Sequence, residues 1–92
     1  MVAFQVMRIY FNKKFRKAFL KMNKSTQNQA DEKLFLFQKD PYSEILNNHS
    51  LKGRYKGYRS INITGDIRAI YQLEKDDLAY FVEMDTHGNL YK

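Results

Sequence analysis

The sequence contains no cysteine and a single proline, Pro41. Without cysteine there can be neither a disulfide framework nor a thiolate metal site. That composition fits a reducing cytoplasm. Only two histidines are present, His49 and His87, and neither has a partner at zinc-ligand spacing. No metal site or cofactor is therefore expected. No apolar run approaches the ~20 residues that a bilayer span requires. The opening MVAFQVMRIYF is apolar but lacks a basic first segment and a small-residue cleavage site, so no secretory signal is expected. Repeats, low-complexity tracts and linkers are absent too. Ninety-two residues suit one domain, 1–92, with a modest core.

What is present argues for a folded, basic globule. Apolar residues make up 43% and aromatics 15%, too many for a disordered chain. The formal net charge is +6, and its distribution is uneven. From Arg8 to Lys24 there are seven basic residues and no acid, and from Lys52 to Arg59 four more. Acids gather instead at Glu74, Asp76, Asp77, Glu83 and Asp85. Such segregation points to a polyanionic partner or an acidic protein, with nucleic acid the leading reading over a merely solvated face.

Residues 2–10 read as a first strand. Phe11, Phe15, Ala18, Phe19 and Met22 then form the apolar stripe of an amphipathic helix, with Lys13, Lys17, Lys21 and Lys24 on another face. Ser25 or Thr26 caps a second helix that runs to about Lys39 and buries Ala30, Leu34 and Phe37; Pro41 lies beyond its end. DPYSEILNNHSLKGRYKG is a loop with at most one short turn, punctuated by Asn47, Asn48, Gly53 and Gly57. Strands follow at about 58–63, 67–73 and 78–84. The expected fold is α+β, in the order β-α-α-β-β-β, with an antiparallel sheet covered on one face by the two helices.

Pairing parity decides how the segment YRSINITGDIRAIY folds. A two-residue turn at Thr64-Gly65 would pair Ile63 with Asp66 and Asn62 with Ile67, mixing core and polar positions in every rung. A three-residue turn pairs Ile63 with Ile67, Asn62 with Arg68 and Ile61 with Ala69, and each rung is consistent. The odd loop is expected, with Gly65 supplying conformational freedom. Asn62, Arg68 and Asp66 then share one coherent polar face. Arg59 falls with Ile61 and Tyr71 on the helix-covered side, where a structural ion pair explains it as well as an RNA contact does.

Two loop histidines beside a basic sheet face permit one economical reaction. RNA cleaves through its own 2′-hydroxyl when a base removes that proton and an acid protonates the leaving 5′-oxygen. Cations must hold the phosphate as charge builds on it, and histidine titrates in the right range. Arg68 can grip a phosphate with two donors, while Lys52, Arg54 and Lys56 track the backbone. Tyr91 can stack on a base.

LKGRYKGYRSINITGDIRAIY, followed by DTHGNLYK, resembles the RelE superfamily of bacterial toxins, and its YafQ-like branch in particular. The elements H-x-L-x-G, G-Y-R, G-D-x-R-x-I-Y and T-H-x-x-L-[YF], in that order across residues 41–92, carry the resemblance. It implies a metal-independent endoribonuclease that enters the A site of the bacterial ribosome, against 16S rRNA, and cuts mRNA there. The products would be a 2′,3′-cyclic phosphate and a 5′-hydroxyl, and a cognate antitoxin would neutralise the protein. It also implies site residues: His87 as general acid or base, Asp66 and His49 assisting proton transfer or positioning the 2′-hydroxyl, and Arg68 stabilising the transition state. Lys52, Arg54, Lys56, Asn62 and Tyr91 would bind RNA, with Arg59 a further candidate.

Two positions depart from that pattern. Asn62 stands where a histidine is expected, and asparagine cannot transfer protons at neutral pH. Glu83 stands where an arginine is expected, and a carboxylate there repels phosphate. Two alternatives therefore stay open: a toxin similar to ParE that acts on DNA gyrase, and a binding module without catalysis.

Overall fold

The first strand ends at an asparagine, and that asparagine starts a helix. The computed structural model describes residues 6–92, so the expected strand over 2–10 falls partly outside it. The described strand is β1, Arg8–Phe11. Asn12 then accepts a hydrogen bond from the Phe15 amide at 2.7 Å and begins α1, Lys13–Lys21. Phe11 therefore belongs to the strand, not to the helical stripe. Its ring still stacks on Phe15 across the junction, 4.9 Å between centroids.

The second helix, α2, spans Lys24–Lys39. Its cap is Asn23, which accepts from the Thr26 amide at 2.8 Å; the expected caps, Ser25 and Thr26, lie inside the first turn instead. Gln27 joins the two helices by donating to the carbonyls of Phe19 and Met22 at the end of α1, where the Phe19 carbonyl also accepts from the Met22 amide. Among the described residues no helix is long and apolar enough to cross a membrane.

The expected loop over residues 40–57 holds more structure than its composition suggested. It contains a 3-10 turn at Glu44–Leu46, the two-residue strand β2 at His49–Ser50, and a second 3-10 turn at Gly53–Tyr55. Gly53 opens that turn and Gly57 follows it, with φ of 65° and 91°, a region other residues seldom adopt. The main strands are β3, Arg59–Asn62, β4, Ile67–Lys75, and β5, Leu78–Thr86; a short helix α3, His87–Leu90, follows.

The sheet order is β1-β5-β4-β3-β2. Strands β2 to β5 are antiparallel, as expected for the last three, but β1 joins β5 in parallel, pairing Arg8 with Leu78 and Phe11 with Phe81. The two helices form the crossover that parallel pairing requires. The β3–β4 register is Ile61 with Ala69 and Asn62 with Arg68, and the Ile63 amide donates to the Ile67 carbonyl at 2.9 Å. This is the three-residue turn that parity demands. Gly65 does not adopt a positive φ, however; the Thr64 hydroxyl shapes the turn by accepting from the amides of Asp66 and Ile67.

The main core lies between the sheet and the helices. Phe81 is fully buried at its centre, with ring centroids of Phe11, Phe15, Phe37 and Tyr71 between 5.1 and 6.0 Å away. The opposite face is not uniformly polar, contrary to expectation. Leu51, Ile70 and Leu90 form a second buried cluster there, with Tyr55, Tyr58 and Val82 against it. The rung Asn62–Arg68–Asp85 at one end and the Gln72–Tyr80 pair at the other are polar; the rung between them, Ser60–Ile70–Glu83, lies beneath that cover.

Phe81→Ala should destabilise the protein by about 3–5 kcal/mol, because it empties the centre of an aromatic cluster. Urea unfolding followed by circular dichroism measures this, and a loss below about 1 kcal/mol would refute the central role.

Candidate functional site

The β3–β4 turn and α3 meet at one end of the sheet. Arg68 closes the turn by donating from Nη1 to the carbonyls of Thr64 and Gly65, each at 3.1 Å. The Asp66 carbonyl accepts from the His87 amide at 2.9 Å. Thr86 caps α3 through the Asn89 amide, and Asp85 accepts from the Thr86 amide and the Asn89 side chain. These contacts bring Asp66, His87 and Tyr91 together. All three are exposed, and the His87 ring lies 4.7 Å from the Tyr91 ring.

The basic segment 52–56 is docked beside them. Leu51 is buried and its amide donates to the Tyr58 carbonyl, which anchors both ends of the loop. Arg54 donates to the Leu90 carbonyl at 2.5 Å and lies over the Tyr55 ring at 4.9 Å. Much of its guanidinium is thus committed to holding α3. Lys52 and Lys56 are exposed and make no ion pair among the described residues.

Glu83 is not an uncompensated negative charge. Its Oε1 pairs with the Lys14 ammonium at 2.5 Å, and its Oε2 accepts from the Tyr55 hydroxyl at 2.5 Å. Burial disfavours its ionisation, but the Lys14 and Tyr55 hydrogen bonds and the Lys14 and Arg54 charges outweigh that and hold the carboxyl below its ordinary value. Tyr55 is raised in turn, first by burial and then by the adjacent Glu83 carboxylate. Lys14, Lys17 and Lys21 of α1 face Arg54, Tyr55 and Glu83 across a cleft of about 660 Å³. The expected lysine row of 13, 17, 21 and 24 is replaced there by 14, 17 and 21. Lys14 and Tyr55 were not singled out in the sequence. Their only signals are the i, i+3 spacing of Lys14 and Lys17 and a tyrosine set between Arg54 and Lys56.

The remaining candidates lie apart. His49 sits on edge strand β2, paired with Ser60, and its Nδ1 is 2.8 Å from the Asn47 carbonyl. Two strand spacings and four residues along the sheet separate it from Asp66, roughly 16 Å between backbones. The two histidines are not brought together. Arg59 does lie on the helix-covered side but forms no ion pair among the described residues. It donates to the Asn48 side chain at 2.9 Å and lies over the Tyr42 ring at 5.4 Å, while Asn48 donates to the Tyr71 hydroxyl. Asn62 stands beside Arg68 as parity requires, but its Oδ1 is enclosed with no hydrogen-bond partner among the described residues.

This arrangement of a five-stranded mixed sheet with two N-terminal helices and a short C-terminal helix is the fold of RelE-superfamily toxins. The RelBE2 toxin–antitoxin complex of Mycobacterium tuberculosis contains it, with a TM-score of 0.74 at 15% identity over 89% of this chain and 99% of that one. So does the crystal structure of YafQ from E. coli strain BL21(DE3), with a TM-score of 0.74 at 24% identity over 94% of this chain and 99% of that one. The E. coli DinJ–YafQ toxin–antitoxin complex has a TM-score of 0.72 at 24% identity, covering 94% and 98%. No curated protein matches the sequence. The family model described as the bacterial toxin of type II toxin–antitoxin system, YafQ, matches residues 7–92. The chain belongs to that family.

Glu83→Gln tests the electrostatics of the site. A carboxyl whose folded-state pKa is depressed contributes stability above its ordinary value and loses it as pH falls through the depressed one. The variant should be less stable by about 1 kcal/mol at neutral pH. The difference should vanish in acid, below the carboxylate range. Chemical denaturation across that range checks this, and a difference independent of pH would contradict it.

Proposed function

We propose that this toxin is a metal-independent endoribonuclease, an mRNA interferase. The observation that carries the reading is the seating of the exposed His87 imidazole on Tyr91, beside the Asp66 turn and next to a lysine-lined cleft. A 2′-hydroxyl placed between Asp66 and His87 loses its proton to one of them and attacks the adjacent phosphorus. The bond to the 5′-oxygen then breaks, and that oxygen takes a proton from the site. The products are a 2′,3′-cyclic phosphate and a 5′-hydroxyl.

Arg68 has five N–H donors and holds the turn through Nη1 alone, so Nε and Nη2 serve the phosphate. Lys52 and Lys56, with the α1 lysines, follow the RNA backbone, and the free side of Tyr91 stacks on a base. The separation between His49 and Asp66 favours proton transfer at the His87–Asp66 end. His49 grips the strand at the sheet edge. Arg59 serves the fold and contributes to RNA binding only through the surface it supports. The proposed setting is mRNA in the A site of the bacterial ribosome, in the cytoplasm. A cognate antitoxin blocks the site, as antitoxins accompany the toxins in the DinJ–YafQ and RelBE2 complexes.

Cleavage of a reporter mRNA on programmed ribosomes tests this, with analysis of the fragment ends. His87→Ala should lower the cutting rate by at least about 100-fold with the fold intact, and a chelator should leave the wild-type rate unchanged. Unaltered cutting by the variant would remove His87 from the mechanism. No cutting by the folded wild type would favour the binding-only alternative, for which Asn62 in place of a histidine already speaks.

A further inference from the structure

Helix α3 has four residues, His87–Leu90, too few to hold its own orientation. Its geometry comes from neighbours. Thr86 and the Asp66 carbonyl fix its start. The other end is held from the 53–55 turn, by the Arg54 hydrogen bond to the Leu90 carbonyl and by the Tyr55 ring, which meets Tyr91 edge-on at 6.0 Å and 80°. Tyr91 in turn lies against His87. The Leu51–Tyr58 hydrogen bond and apolar packing seat that turn on the sheet, and the bond from the Tyr55 hydroxyl to Glu83 fixes where the Tyr55 side chain lies on it.

Glu83 sits on a covered rung, opposite Ile70, where an unpaired carboxylate would be costly. Each of its oxygens has one donor, and the donors come from two elements far from β5 in sequence: Lys14 from α1 and Tyr55 from the 53–55 turn. The residue where the family pattern places a phosphate-binding arginine is here a structural acceptor.

We infer that Glu83 is a positioning residue for His87, acting through Tyr55 and Tyr91. A contiguous path runs from the Glu83 carboxylate to the Tyr55 hydroxyl, from the Tyr55 ring to the Tyr91 ring, and from there to the imidazole. Lys14 neutralises the carboxylate but is not on that path. The inference rests on His87 being the acid–base group, as proposed above.

The test combines nuclear magnetic resonance of the His87 imidazole with cleavage kinetics, on the folded full chain free of antitoxin. Glu83→Ala and Tyr55→Phe should both move the His87 ring resonances, because the imidazole shifts relative to the Tyr91 ring current. Both should lower kcat by about ten- to a hundredfold, with KM changed less than about twofold. Glu83→Gln keeps an oxygen for Tyr55 and should retain the wild-type resonances and most of kcat. Lys14→Ala should leave the His87 resonances in place. Unmoved resonances in folded Glu83→Ala would overturn the inference, as would Glu83→Gln behaving like Glu83→Ala. Should Glu83→Ala fail to fold, Tyr55→Phe removes the same hydrogen bond alone and decides the matter. If the wild type cuts no RNA, the nuclease reading falls, while the resonances still decide whether Glu83 positions His87.

Discussion

A three-residue turn between β3 and β4 sets the rest of the molecule. With Ile63 bonded to Ile67 across Thr64, Gly65 and Asp66, every second residue of β3 and β4 is assigned to a face. Ile61, Ile63, Ala69 and Tyr71 go to the core beneath the helices, and Asn62 and Arg68 go to the other side. Lys33 of α2 donates to the Ile63 carbonyl, and the Asp66 carbonyl holds the first amide of α3. One turn therefore ties the helical layer, the sheet and the histidine-bearing end together. A one-residue slip would expose the isoleucines and detach His87 from its support.

The second organising influence is charge. The basic stretches 8–24 and 52–59 are far apart in sequence, yet α1 and the 53–55 turn face each other across one cleft. Packing two cationic surfaces so closely is unfavourable unless an anion lies between them. Glu83 is that anion in the free protein, pairing with Lys14 and accepting from Tyr55. Lys17 and Lys21 line the same cleft, and the Glu83 charge offsets part of their mutual repulsion.

The departures from the family pattern have physical consequences that differ in kind. Glu83 is absorbed by the fold, since its charge is matched and its oxygens are bonded. Asn62 is not compensated in the same way, because its enclosed oxygen has no partner and no second histidine replaces it nearby. Asp66 and His87 are joined at one end of the sheet, with His49 held on the edge strand.

Much of this was legible in the sequence because the determining physics is local. Apolar spacing set α1 and α2, and parity set the β3–β4 register. The family motifs marked His87, Asp66 and Tyr91, which the fold does place together. Errors fell where local signals compete: Asn23 displaced Ser25 and Thr26 as the cap, and a short strand with two 3-10 turns lay inside what read as loop. What only the tertiary structure decided depends on residues distant in the chain. The parallel pairing of β1 with β5, the separation of His49 from His87, and the bond from Lys14 to Glu83 across 69 positions are all of this kind. No local pattern encodes such contacts, because they form only when the hydrophobic core has brought the elements together.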